Sequence, residues 1–145
     1  MKDRIREIVK EQRAEDPRST IYISTKEMIE SNGFTILKKI SEGDYSGDNV
    51  YIMRQGNSYS VVVVGYGSCS HCDALMGICE SGSGDEEMIN DLNNYYERII
   101  NNVKHFATKE DLLDYLTVED VGKYSYAFNQ SEFKEAIPEI KNMLT

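Results

Sequence analysis

The chemistry-bearing residues of this chain are concentrated in one stretch, Ser58 to Glu80. All three thiols lie in it, Cys69, Cys72 and Cys79, with His71 between the first two. Val61 to Val64, the most apolar run in the chain, leads into a turn on Gly65 and Gly67, and Cys69-x-x-Cys72 follows at once. Two thiolates at this spacing can reach one ion while the amides of the turn point at the sulfurs. Zinc takes four N, S or O ligands in a tetrahedron. Cys79 is the third candidate, carried back by a helical turn over Asp73 to Ile78. The fourth is open among His105, folded back along a long helix, His71, cramped between two ligands, and the oxygen donors Asp73, Asp44 and Asp48. A closed ligand set makes the site structural, and an open position makes it catalytic. A redox dithiol and packed, inert thiols are the competing readings. The redox reading needs a thioredoxin-like βαβ unit and a cis-proline, and neither Pro17 nor Pro138 is placed to supply one.

Other catalytic patterns are missing. The sequence contains no Gly-x-x-x-x-Gly-Lys-Ser/Thr phosphate loop, no His-Glu-x-x-His, and no His-x-Glu with Pro-Cys-x-x-Cys. Asp44 and Asp48 flank a Tyr-Ser-Gly turn. As a carboxylate pair they could do acid–base work or hold a cation, but Asp and Gly in such a loop serve first to build the turn. The expectation is a protein without catalysis, with a metal- or thiol-dependent enzyme on Cys69, Cys72 and Cys79 as the alternative.

The elements that must position the cysteines can be read in order. Ile5, Ile8, Val9 and Gln12 mark one face of an N-terminal helix that stops before Pro17. Ser24-Thr25-Lys26-Glu27 has the form of a capping box for a short helix ended by Asn32-Gly33. Phe34 to Ile40 reads as a strand with Phe34, Ile36 and Ile40 on one face. Asn49 to Arg54 and Tyr59 to Tyr66 are two more strands, joined by a tight Gly56-Asn57 turn. Four successive valines predict that the last of these is buried on both faces and central. Ser83 to Glu86 is a second capping box. Met88, Leu92, Tyr96, Ile99 and Val103 predict a long amphipathic helix to about Lys104. Thr108 caps a short helix carrying Leu112, Leu113 and Leu116. Phe133, Ile137, Ile140 and Leu144 form a last helical face that Pro138 kinks or restarts. The expected fold is α+β: one domain over residues 1–145, with an antiparallel three- or four-stranded meander, helices packed on it and a zinc-knuckle-like turn. Its parts are a helix and linker (1–20), the sheet and Cys turn (21–80), and a helical portion (81–145).

The formal charge of −9 is uneven. Residues 80–120 hold 3 basic and 11 acidic side chains, a net of −8. Such a surface repels nucleic acid and anionic lipid and attracts basic surfaces. Asp85, Glu86, Glu87, Asp91 and Glu97 are the candidate contact residues, set against the plainer reading of a solvated helix face. The N-terminus lacks a signal-peptide pattern, and no apolar run approaches the roughly 20 residues of a membrane helix, so a cytoplasmic location is expected.

Gly43-Asp44-Tyr45-x-Gly47-Asp48, followed after a hairpin by Tyr66-Gly67-Ser68-Cys69-Ser70-x-Cys72-Asp73-Ala74-Leu75, resembles a group of small phage and prophage proteins with the signature GDYxGD … YGSCSxCDAL. The resemblance spans residues 34–144. It departs at position 71, where His stands in place of a more common Gly, which argues against His71 as a ligand. The group implies no activity. A phage origin implies, by analogy of class and charge, an inhibitor of host defence. In its most concrete form this is an anti-CRISPR protein that binds the basic, nucleic-acid-handling surface of a Cas nuclease without touching nucleic acid itself.

Overall fold

A computed structural model of the chain describes residues 1–18, 20–42, 47–66, 77–78, 84–117 and 131–144. Its elements are α1 (Lys2–Glu15), α2 (Thr25–Ser31), β1 (Thr35–Glu42), β2 (Gly47–Gln55), β3 (Ser58–Tyr66), α3 (Asp85–Asn101), β4 (Lys104–Phe106), α4 (Lys109–Thr117) and α5 (Ser131–Leu144). The strands form one antiparallel sheet in the order β1-β2-β3-β4, so the fold is α+β with a four-stranded meander. Among the described residues no helix is long and apolar enough to cross a membrane.

The β2–β3 hairpin is the regular part of the sheet. It pairs without interruption from Gln55↔Ser58 to Gly47↔Tyr66. Its turn needs a positive φ, which Gly56 supplies at +59°, and the Ser58 hydroxyl donates to the Gln55 carbonyl at 2.8 Å. β3 is interior, as its valines predict, flanked by β2 and β4. Two features differ from the sequence expectation. First, the pairing of β1 with β2 shifts between Ile36 and Lys38. Leu37 is the extra residue of this bulge, which moves the strand's alternation by one. Ile36 and Ile40 therefore serve opposite faces of the sheet instead of one. Second, the long helix stops at Asn101, and residues 104–106 turn back as β4, with Tyr59↔Phe106, Ser60↔His105 and Val61↔Lys104 paired.

Alternation along β2 and β3 divides the core between the two sheet faces. Val50, Ile52 and Val61 lie on one face with Leu112 and Leu116 of α4 and Phe133, Ile140 and Leu144 of α5. Tyr51, Met53, Val62 and Val64 lie on the other, against Ile29 of α2, Phe34, Val103 and the flank of α3 at Ile99 and Ile100. A third cluster lies beyond α3. There Met88, Ile89, Leu92 and Tyr96 meet Ile5, Ile8 and Val9 of α1, Ile21, Ile23 and Met28. α3 is thus packed on two sides, by the sheet and by α1.

Polar contacts hold α1 in place. Gln12 clamps the Tyr22 backbone: its Oε1 accepts from the Tyr22 N–H at 2.8 Å and its Nε2 donates to the Tyr22 carbonyl. Arg4 pairs with Glu27, with Nε 3.0 Å from Oε1. This contact explains why the box at Ser24 does not form. Ser24 is the N-cap, but its side chain makes no capping bond, and the Glu27 carboxylate is engaged by Arg4. Thr108 does cap α4, its hydroxyl accepting from the Asp111 N–H at 3.1 Å. In the core, the Tyr96 hydroxyl donates to the Ile23 carbonyl at 3.2 Å.

Tyr51 gives a pH signature. Burial, and secondarily the nearby Tyr22 phenol, raise its hydroxyl above the ordinary phenol value of 10.0. Above that value the unfolded chain releases a proton that the folded chain keeps, so stability falls as pH rises. Urea midpoints measured from about pH 9 to 11 should decline, and Tyr51→Phe should flatten the decline relative to wild type. Parallel declines in the two proteins would rule Tyr51 out as the source.

Candidate functional site

The strands deliver the chemistry-bearing segments to defined ends of the sheet. Tyr66, the last residue of β3, pairs with Gly47, and Gly65 pairs with Asp48. At the same end Asp48 also pairs with Glu42 of β1. The turn that carries Asp44 and the segment that carries Cys69 and Cys72 therefore leave the sheet from adjacent strand ends. Cys69, His71, Cys72, Asp73, Cys79 and Asp44 themselves lie outside the described residues, as does the Ser83 half of the second capping box. Gly77 and Ile78 are helical, the rest of the turn expected over Asp73 to Ile78 lies outside the described residues, and Ile78 packs against the α1–α3 cluster. Among the described residues no three His, Cys, Asp or Glu side chains gather as a metal site.

His105 is on β4, not folded back along the long helix. It is exposed, and its Nδ1 lies 3.1 Å from the Oγ of Ser60, its cross-strand partner. Its ring also lies 6.0 Å from that of Phe34. Ser60 and Tyr66 are six steps apart along β3, about 20 Å at the ordinary rise of a strand. His105 is therefore far along the sheet from the point where the cysteine segment begins.

A Ser–His pair invites comparison with a nucleophile and its base. Ser60 is 0% exposed, which leaves no approach for a substrate carbonyl. The pair instead satisfies the one polar side chain buried in the core among the described residues. Ser60→Ala should change stability by no more than about 1 kcal/mol, because the exposed imidazole keeps water as a partner. Chemical denaturation measures this, and a much larger loss would mean that the pair organises the β3–β4 contact.

The five acidic residues of α3 separate into two groups. Asp85 and Glu86 are held by α1: Arg13 lies 3.3 Å from the Asp85 Oδ1, and Arg6 lies 2.7 Å from the Glu86 Oε1. Glu87, Asp91 and Glu97 make no ion pair among the described residues, although the Glu97 carboxylate accepts from the Asn93 amide at 3.3 Å. At 100° per residue, Glu86, Asn90, Asn93 and Glu97 form one stripe, and Glu87, Asp91, Asn94 and Arg98 form the next, all exposed except the half-buried Asn93 and Asp91. The negative surface is thus two neighbouring stripes, one touched by Arg6 at its start and the other closed by Arg98 at its end.

Sequence reasoning missed Ser60, Arg6 and Arg13. The signal for Ser60 was a polar residue just before four valines. For Arg6 and Arg13 it was their seven-residue spacing, which places both on one side of α1.

No family model, no curated protein and no solved structure matches this chain.

Proposed function

We propose that the protein is a non-catalytic, zinc-binding inhibitor that docks an acidic helical surface on a basic, nucleic-acid-handling surface of a host defence protein, most concretely a Cas effector nuclease. The observation that carries this reading is the outer side of α3, where the exposed Glu87 and Glu97 and the half-buried Asp91 make no ion pair among the described residues. Such a surface speeds encounter with a basic partner and competes with the nucleic acid that partner would hold. In this reading the zinc held by Cys69, Cys72 and Cys79 is structural and fastens the chain beyond β3.

The ion pairs of Asp85 and Glu86 restrict the test to three residues. Reversing either of those two would also loosen α1. The triple variant Glu87→Lys, Asp91→Lys and Glu97→Lys keeps every apolar contact of α3. It should weaken binding to the nuclease about tenfold or more, and the wild-type association rate should fall as salt rises. Binding kinetics on the purified pair, with circular dichroism to confirm an intact fold, give the readout. Undiminished binding by the triple variant would remove α3 as the docking face.

A further inference from the structure

Tyr51 carries a buried hydroxyl without a hydrogen-bond partner among the described residues. The residue is 3% exposed. Buried polar groups are normally satisfied, so a donor left unmet by the chain points to a partner from outside it. Ser60 differs, since His105 already bonds its hydroxyl. The surroundings of Tyr51 are rich in donors. Lys39, its cross-strand neighbour on β1, holds its ammonium 6.0 Å from the centre of the Tyr51 ring. Lys39 is exposed and makes no ion pair among the described residues. The Tyr22 phenol is close enough to act on the Tyr51 hydroxyl electrostatically, and Tyr22 is 76% exposed. Its backbone is fixed at both the N–H and the carbonyl by Gln12. Ser41 and Asn49 continue the same face of β1 and β2. They carry no charge, and the Ser41 hydroxyl donates to the Asn49 Oδ1 at 2.8 Å. Burial keeps the Tyr51 hydroxyl protonated at neutral pH, and so a donor.

Two phenols and one ammonium suit an oxyanion. A carboxylate presents two oxygens. A phosphate monoester presents three, with a charge of about −1.5 to −2 at pH 7. We infer that Tyr51, Lys39 and Tyr22 form a binding site for a phosphate group on the β1 side of the sheet, with the Tyr51 hydroxyl and the Lys39 ammonium as its anchors. This site depends on neither the zinc nor the acidic side of α3.

The full-length protein, titrated at constant ionic strength with inorganic phosphate, with AMP and with acetate, tests this. Amide NMR shifts report both binding and its place. Phosphate should bind saturably with a Kd of about 1 mM, moving signals of Lys39, Tyr51 and Tyr22, and acetate should bind about tenfold more weakly. Tighter binding of AMP than of phosphate identifies a nucleotide as the source of the group, and equal or weaker binding identifies the free ion. Tyr51→Phe, which removes only the hydroxyl, and Lys39→Met should each weaken phosphate about tenfold. Lys134→Met, an equal loss of charge on α5 across the sheet, should bind as wild type does. Phosphate should raise the wild-type melting temperature above that in chloride and leave that of Tyr51→Phe unchanged. In chloride Tyr51→Phe should melt no lower than wild type, because what it loses is an unmet hydroxyl. A much lower melt would show that the hydroxyl is bonded within the fold, and the site would fall. It would fall equally if phosphate and AMP gave no saturable shift, if acetate bound as well as phosphate, or if Tyr51→Phe bound as wild type does.

Discussion

Leu92→Ala should destabilise the protein by about 2–5 kcal/mol, the range for truncating a fully buried leucine. Leu92 is 0% exposed, in the cluster where α3 meets α1. Its removal leaves a cavity that the surroundings cannot readily fill. On one side are Ile5, Ile8 and Val9, held in register by the ion pairs at Arg6 and Arg13. On the other, α3 is backed by the sheet. The cost should therefore fall in the upper half of the range. Urea denaturation gives the magnitude, and hydrogen exchange gives the location: protection should drop first in α1, whose main apolar support is this cluster. A loss below about 1 kcal/mol would mean that α1 and α3 can close over the gap and are not rigidly placed.

Pro138→Ala should raise stability, by about 2 kcal/mol. Pro138 lies inside α5, which runs unbroken from Ser131 to Leu144. A proline there lacks the N–H that would bond the Lys134 carbonyl, and its ring crowds that carbonyl, at a cost of about 3 kcal/mol in a helix interior. Alanine restores the donor, while the more flexible unfolded chain offsets about 0.4–1 kcal/mol of the gain. Pro138 is exposed, so no packing is lost with the ring. Thermal melts of the two proteins decide the matter. An unchanged or lower midpoint would show that the proline ring supports the fold by a route other than the helix.

The fold is legible in the sequence where local pattern is strong. The β2–β3 hairpin was legible because a tight glycine turn and a four-valine run each specify it independently. α3 was legible because five apolar residues recur at helical spacing, yet its end was placed about a turn too late. Val103 continues the apolar period but packs from the link to β4. β4 itself gave no signal: Lys104, His105 and Phe106 are three residues with two exposed, too short to alternate. The bulge at Leu37 was invisible because Phe34, Ile36 and Ile40 satisfy a period of two that only the pairing with β2 breaks. Pro138 is expected to kink or restart the last helix, and the helix does not restart there: burial of Phe133, Ile140 and Leu144 on one core holds it continuous through the proline. At the candidate site, the residue types were legible and the distances between them were not. Sequence alone leaves the fourth ligand open among His105, His71, Asp73, Asp44 and Asp48, whereas strand register puts His105 and Asp48 toward opposite ends of the sheet.

The bulge in β1 also has a consequence for self-association. A flat outer strand would offer an unbroken row of amides and carbonyls on which another copy could add a strand of its own. Leu37 interrupts that row, and Lys38 and Lys39 follow it directly, with Lys38 tied across to Glu139 of α5. Kinked backbone and clustered ammonium groups are both deterrents to edge-on stacking. The β1 margin therefore carries two features that discourage a second copy from adding a strand to it.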